Sequence, residues 1–162
     1  MTVEALFGLS ILMSFLGYGI VTRLYIWPWL RAAPRDEALV ALAAPHMSRF
    51  VGLSFLVPGV VSPTLSPAFA VPAAYGDLGA AILAVLTIWS LSAHWSWAIA
   101  IAWVFNLWGS LDLLHAIYQG QIGVGIGPGS LGAAYFIPTV VVPALLVTHG
   151  LMFWLLMQRK RS

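Results

Sequence analysis

The sequence predicts an all-α protein, a polytopic bundle of five transmembrane helices, and three observations lead to this class. Hydrophobic residues make up 61% of the 162-residue chain and charged residues only 7%, so too little polar surface exists to cover a water-soluble globule. Several apolar runs approach the roughly 20 residues that a helix needs to cross a bilayer. The seven basic residues fall into two stretches, namely Arg23, Arg31, Arg35 and Arg49, and then Arg159, Lys160 and Arg161.

Five spans are expected at about 4–26, 46–61, 75–93, 96–119 and 133–157, and together they form a single transmembrane domain over 1–162. The second span is short and contains Pro58 and Gly59, which predict a kink. Without that span, the basic tail would lie on the opposite side of the membrane from Arg31 and Arg35. Because cytoplasmic segments are enriched in Lys and Arg, the charges favour five spans, with the N-terminus outside and the C-terminus cytoplasmic.

The connections between spans also carry local signals. Pro34, followed by two acidic residues and a short apolar face, predicts an interfacial helix between spans one and two that ends at Pro45. The segment from Ser62 to Pro67, together with Pro72, predicts an extended external loop, because proline disfavours helix continuation. The glycine-rich stretch 120–132 predicts a second external loop.

The fourth span holds the densest group of polar residues. Asp112, His115 and Gln119 lie on one stripe of this helix, and Asp112 and His115 are three residues apart, so their side chains can touch. A carboxylate beside an imidazole can bind a cation, relay protons or orient a polar ligand. The alternative is a structural pair near the outer interface, where a charge costs little.

Two further polar residues are expected deeper in the membrane. Asn106 on the fourth span and His149 on the fifth lie at similar depth, so they can meet if their faces oppose. This pair predicts either an interhelical hydrogen bond or a ligand or proton site. Asp77 and Glu4 are expected at the outer helix ends, where they stabilise the helix N-termini or join Asp112 in an acidic mouth.

The four histidines raise a b-type haem hypothesis, because such a haem needs two imidazoles at one depth on facing helices. His46 and His94 are both expected at the inner boundary, with Arg49 close enough for a haem propionate. A solvated interfacial histidine is the alternative for His94.

Composition excludes several function classes. The chain has no Cys, which excludes disulfides, thiolate metal sites and cysteine nucleophiles. The basic residues flank spans rather than forming a basic face, so nucleic acid is not an expected partner. No metal triad or positioned nucleophile is recognisable, and the sequence leaves open whether the protein is an enzyme.

The leading functional hypothesis is therefore a protein of the bacterial cytoplasmic membrane that binds or transports a small ligand or ion. Two alternatives remain, a haem-binding electron-transfer protein and an accessory or scaffold subunit with membrane-protein partners or a second copy of itself. The candidate ligand-binding residues, all on spans four and five, are Asn106, Asp112, His115, Gln119 and His149.

Overall fold

The computed structural model describes residues 1–158, which fold into helices and connecting turns without a strand. Five helices in this part of the chain are long and apolar enough to cross a membrane, which confirms the predicted number. They are α1 (Val3–Ala32), α2 (Arg35–Leu56), α3 (Pro67–Ser92), α4 (Ala98–Gly123) and α5 (Ile137–Met157). The basic tail at 159–161, on which the predicted sidedness depends, lies outside the described residues.

The second helix differs from its prediction at both ends. It begins at Arg35 rather than near residue 46, because the segment Arg35–Ala43 continues without interruption into a 3-10 helix over Ala44–Leu56. Pro45 does not end the helix; it stands at the junction where the α-helical segment changes to the 3-10 segment. A separate interfacial helix is not confirmed, and Leu39 in that segment is fully buried.

The third helix begins earlier than its prediction. Ser66 caps α3, its side chain accepting a hydrogen bond from the amide of Ala68, and Pro67 occupies the first helical position. Pro72, which we expected in the loop, therefore lies inside the helix. The local proline signal was outweighed by a favourable helix start five residues upstream.

Irregular turns mark the last two helices and the loop between them. The α-helical part of α4 ends at Tyr118 and continues through a π turn over Gln119–Gly123. A 3-10 segment over Pro128–Tyr135 follows, and α5 then opens with a π turn over Ile137–Val141. The expected second external loop thus contains ordered helical turns.

The 3-10 geometry of α2 aligns four side chains that an α-helix would separate. Buried residues recur at every third position, and at three residues per turn such positions lie directly above one another. In an α-helix the same spacing would spiral halfway around the axis. The aligned residues are His46, Arg49, Gly52 and Phe55.

The charged side chains of Arg49 and Asp77 lie between two apolar clusters. One cluster contains Leu42 of α2 and the other contains Phe55, so Arg49 lies between them along the helix. Along α3, Asp77 lies between Ala73 of the second cluster and Ala84 of the first. The two clusters therefore lie on either side of a polar layer that contains Arg49 and Asp77.

Arg35 joins the start of α2 to the end of α5. Its Nε donates to the carbonyl oxygen of Leu155 at 3.1 Å, and its Nη2 donates to that of Leu156 at 2.9 Å. These carbonyls belong to the last turn of α5, where the regular helical donors run out, and that of Leu155 also accepts a hydrogen bond from the amide of Gln158 at 3.3 Å. The start of α2 and the end of α5 thus lie at the same end of the bundle.

Candidate functional site

The centre of the polar layer is Arg49, whose side chain is completely buried. Its guanidinium donates three hydrogen bonds, from Nε to Asp77 Oδ1 at 2.7 Å, from Nη2 to Asp112 Oδ2 at 2.5 Å, and from Nη1 to the carbonyl oxygen of Gly109 at 3.1 Å. The planar fork of arginine suits such simultaneous contacts. One cation on α2 therefore joins two carboxylates, one on α3 and one on α4.

Two glycines make room for the carboxylates. A Cβ atom added at Gly52 would collide with the carboxyl group of Asp77, and one added at Gly76 would collide with the carboxyl group of Asp112. Any larger side chain at either position would displace an aspartate from Arg49. The helices can approach closely here only because these residues have no side chain.

A pair of histidines lies next to the ion pairs. The ring centroids of His46 and His149 are 4.2 Å apart. His149 Nδ1 is 2.7 Å from Asn106 Oδ1, while Asn106 Nδ2 donates to the carbonyl oxygen of His149 at 3.3 Å. Because the second bond orients the amide, Asn106 Oδ1 is an acceptor, and His149 carries its proton on Nδ1.

The tautomer of His46 follows from its partner. Its Nε2 lies 2.9 Å from Thr148 Oγ1, whose single proton is directed to the backbone carbonyl of Leu145 at 2.9 Å. His46 Nε2 is therefore the donor. The second nitrogens, His46 Nδ1 and His149 Nε2, are buried and have no hydrogen-bond partner among the described residues.

Gly109 brings the two polar groups together. A Cβ atom at this position would lie 2.7 Å from His149 Nε2 and 3.0 Å from Arg49 Nη1. The unpartnered imidazole nitrogen and the guanidinium thus face the same side of α4. The histidine pair and the ion-pair cluster form one continuous polar layer.

An apolar cavity of about 290 Å³ borders this layer. Its walls come from α1, α2, α3, α4, α5 and the 3-10 segment, and they include Phe7, Phe55 and Phe69. Asp77 and Asp112 supply its polar end, whereas Arg49 does not line it. The two aspartates keep 11% and 12% of their side-chain surface exposed, while Arg49 keeps none, so the cavity faces carboxylates.

The structure separates the predicted site residues into two groups. Asp112, Asn106 and His149 belong to the polar layer, and the predicted contact between Asn106 and His149 is confirmed. His115 is exposed, and its side chain lies 3.4 Å from that of Gln119. Within residues 1–158, Asp112 has one hydrogen bond with Arg49 and none with His115, so the expected pair is replaced by an ion pair.

The two histidines of the haem hypothesis have different surroundings. His46 is fully buried against His149, whereas His94 is exposed in the turn between α3 and α4, at a positive φ of 52°. Haem ligation by His46 and His94 stays a prediction, which an absorption spectrum of the purified protein would check.

Sequence reasoning missed the ion pairs that Arg49 forms with Asp77 and Asp112, although one alternative had placed Asp77 beside Asp112 in an acidic mouth. Arg49 was expected at the cytoplasmic boundary, close to the start of the span at 46–61, but α2 begins at Arg35, so Arg49 lies in the interior of the helix. Asp77 was expected at a helix end, but α3 begins at Pro67 and places it in the interior. The three-residue spacing of His46, Arg49 and Gly52 was the available signal, and it is recognisable only once a 3-10 helix is assumed.

Within residues 1–158, five long apolar helices and a buried charge cluster are compatible with the class of helical integral membrane proteins. The chain belongs to the family described as Domain of unknown function (DUF8737), whose model matches residues 6–157. No curated protein and no solved structure matches the chain.

Proposed function

We propose that this protein binds a small ligand or ion inside its transmembrane bundle, at the polar end of the apolar cavity. The observation that carries this proposal is the exposure of Asp77 and Asp112 to the cavity while Arg49 is fully covered. Ionisable groups inside a membrane bundle are costly and commonly mark substrate or ion sites. Compensation of one arginine charge requires one carboxylate, so the second carboxylate calls for a further explanation.

The polar residues divide into those that contact the ligand and those that position them. Asp77 and Asp112 line the cavity and would contact the ligand directly. Asn106 and His149 lie in the adjoining layer and would hold the cluster in place. His115 and Gln119 lie beside the π turn that contributes Gly120 to the cavity wall, so they remain candidates for a polar rim.

Native mass spectrometry of the protein purified in an uncharged detergent tests this function. We expect a small molecule to co-purify with the wild type and to be lost from Asp112→Asn and His149→Ala. Glu37→Gln is the matched control, because this carboxylate is exposed and lies outside the cavity. Folded Asp112→Asn and His149→Ala variants that retain the same molecule would reject the assignment.

We also propose an orientation with the N-terminus outside and the C-terminus cytoplasmic, in a bacterial cytoplasmic membrane. Support comes from the hydrogen bonds of Arg35 to Leu155 and Leu156, which place the end of α5 beside the basic start of α2. The sequence continues from there into three basic residues, at 159–161. Clustered positive charge favours the cytoplasmic side.

The accessory-subunit hypothesis is a second candidate, and α1 is the observation that favours it. Over Val3–Val21, only Phe7 is buried in the bundle, so nearly the whole helix surface is free to face lipid or another protein. Purification from native membranes in a mild detergent tests this candidate. A chain that migrates at its own mass without a co-purifying protein would count against it.

A further inference from the structure

We propose that the cavity binds a lipophilic monocation, an organic ammonium whose charged group lies against Asp77 and Asp112 and whose apolar body fills the cavity. This inference rests on the ligand-binding function proposed above and adds the chemical class of the ligand. Charge, orientation and cavity lining each support it.

The charge argument starts from the count of ionisable groups in the cluster. Two carboxylates face one guanidinium, so Arg49, Asp77 and Asp112 carry a formal charge of −1 when both acids are ionised. Each acid uses one oxygen on Arg49, and its other oxygen has no hydrogen-bond partner among the described residues. A buried unpaired charge is unfavourable, and a single positive charge would neutralise it.

The orientation argument concerns which charge a ligand would meet. Arg49 is fully covered and contributes nothing to the wall, whereas both aspartates line the cavity. An anionic ligand would therefore approach two carboxylates without contacting the guanidinium. The arrangement favours cations and disfavours anions.

The lining argument concerns the rest of the ligand. Four phenylalanines, Phe7, Phe15, Phe55 and Phe69, contribute to a wall that is otherwise largely aliphatic. Aromatic rings and a carboxylate are the groups that bind alkylammonium ions in proteins. An inorganic cation that loses its water would need several oxygen ligands from the protein, and residues 1–158 contain no group of three acidic or histidine side chains that could hold a metal.

The size of the cavity limits the ligand. Its volume of about 290 Å³ lies just below the roughly 300–1,000 Å³ that is usual for ligand pockets. This volume suits one small ammonium compound with a single ring or a short branched chain. A phospholipid with two acyl chains would not fit.

Three probes of similar shape and different charge test the class. Benzyltrimethylammonium is the cation, neopentylbenzene is its neutral carbon isostere, and phenylmethanesulfonate is the anion. Binding is measured by calorimetry and by thermal unfolding, with the full chain in nanodiscs of uncharged lipid. We expect only the cation to bind. Asp112→Asn should weaken the affinity for the cation by about 10- to 100-fold, because a charged partner is lost.

Glu37→Gln removes an exposed carboxylate away from the cavity and should leave the affinity for benzyltrimethylammonium unchanged. Asp77→Asn is the second variant if Asp112→Asn does not fold, and the same weakening is expected. Equal binding of the cation to a folded aspartate variant would overturn the proposal.

The remaining outcomes separate this proposal from the function on which it rests. Neopentylbenzene binding as tightly as the cation would show an apolar site whose acids are neutralised by a proton, and would overturn the ammonium class while leaving ligand binding intact. If none of the three probes binds but a molecule co-purifies in mass spectrometry, the ammonium class is again overturned and ligand binding is retained. If no probe binds and no molecule co-purifies, both proposals fail.

Discussion

Arg49 Nη2 donates to Asp112 Oδ2 at 2.5 Å, and this bond joins two positions 63 residues apart in the chain. It connects α2 to α4 across the interior of the bundle, and the bond from Arg49 Nε to Asp77 connects α2 to α3. Three helices are therefore held by one side chain. The same side chain determines which groups face the apolar cavity.

Removing Arg49 should destabilise the protein more than removing either of its partners. Arg49→Leu leaves two carboxylates together in a buried layer, for which we expect a loss of about 3–5 kcal/mol in the free energy of unfolding. Arg49→Lys keeps the charge but cannot reach all three acceptors, so its loss should be smaller. Denaturant unfolding in micelles, followed by tryptophan fluorescence, measures the free energy of unfolding of the wild type and of each variant.

Arg31→Leu is the matched control, because Arg31 is exposed, and its effect should stay within about 0.5 kcal/mol. Equal losses for Arg31→Leu and Arg49→Leu would contradict the importance of the buried ion pairs.

Glycine-to-alanine exchanges should have opposite effects at two positions. At Gly52 the new methyl group would meet the carboxyl group of Asp77, and we expect a loss of about 1–3 kcal/mol from overpacking. At Gly17, in the interior of α1, no atom lies within 4 Å of the new methyl group. Gly17→Ala should therefore be neutral or stabilising by up to about 1 kcal/mol, since alanine favours the helix. The unfolding midpoints of the two variants are the measurement. Equal shifts in the same direction would contradict the close approach of Gly52 to Asp77.

Asn106→Leu should destabilise the bundle by leaving a buried donor without a partner. The variant keeps a similar volume but removes the acceptor of His149 Nδ1, at an expected cost of about 1–3 kcal/mol. The double variant Asn106→Leu with His149→Phe should recover part of this loss, because neither partner is then polar. Thermal unfolding of the single and double variants measures the recovery.

Ser110→Ala is the control for Asn106→Leu. Ser110 Oγ donates to the carbonyl oxygen of Asn106, one turn earlier in its own helix, so its removal leaves no buried donor without a partner. We expect a change within about 0.5 kcal/mol. A Ser110→Ala loss as large as that of Asn106→Leu would show that the His149 bond contributes nothing particular.

The proposed orientation can be tested directly because the chain contains no cysteine. We expect a membrane-impermeant maleimide to label Gly127→Cys in intact cells, since this exposed position lies between α4 and α5. Gln158→Cys, at the end of α5, should react only after the membrane is permeabilised. Labelling of Gln158→Cys in intact cells would contradict the proposed orientation and indicate that the C-terminus lies outside.

The number of spans could be predicted from the sequence because hydropathy is a property of whole segments. The helix boundaries were predicted less accurately, because they depend on which residue caps the start of each helix. Ser66 and Pro67 start α3 upstream of Pro72, and the continuity of α2 from Arg35 overrides the signal of Pro45. Each shift moved an ionisable residue from an expected helix end into the bundle interior.

Part of the candidate site was also predictable. Asn106 and His149 were matched by depth along their helices, and depth follows from sequence position at a constant rise per residue. The partner of Asp112 was not predictable, because His115 is its neighbour in sequence whereas Arg49 is its neighbour only in the folded bundle.

The sequence by itself determined the class of protein, the number of apolar helices and the presence of polar residues on α4 and α5. Composition and segment hydropathy are summed over many residues, so they need no knowledge of neighbours in space. Only the tertiary structure decided that Arg49 binds Asp77 and Asp112, and that the carboxylates face the cavity. Those contacts depend on the 3-10 geometry of α2, which aligns every third residue, and on which helix faces oppose. Both are set by packing between segments that are distant in the chain.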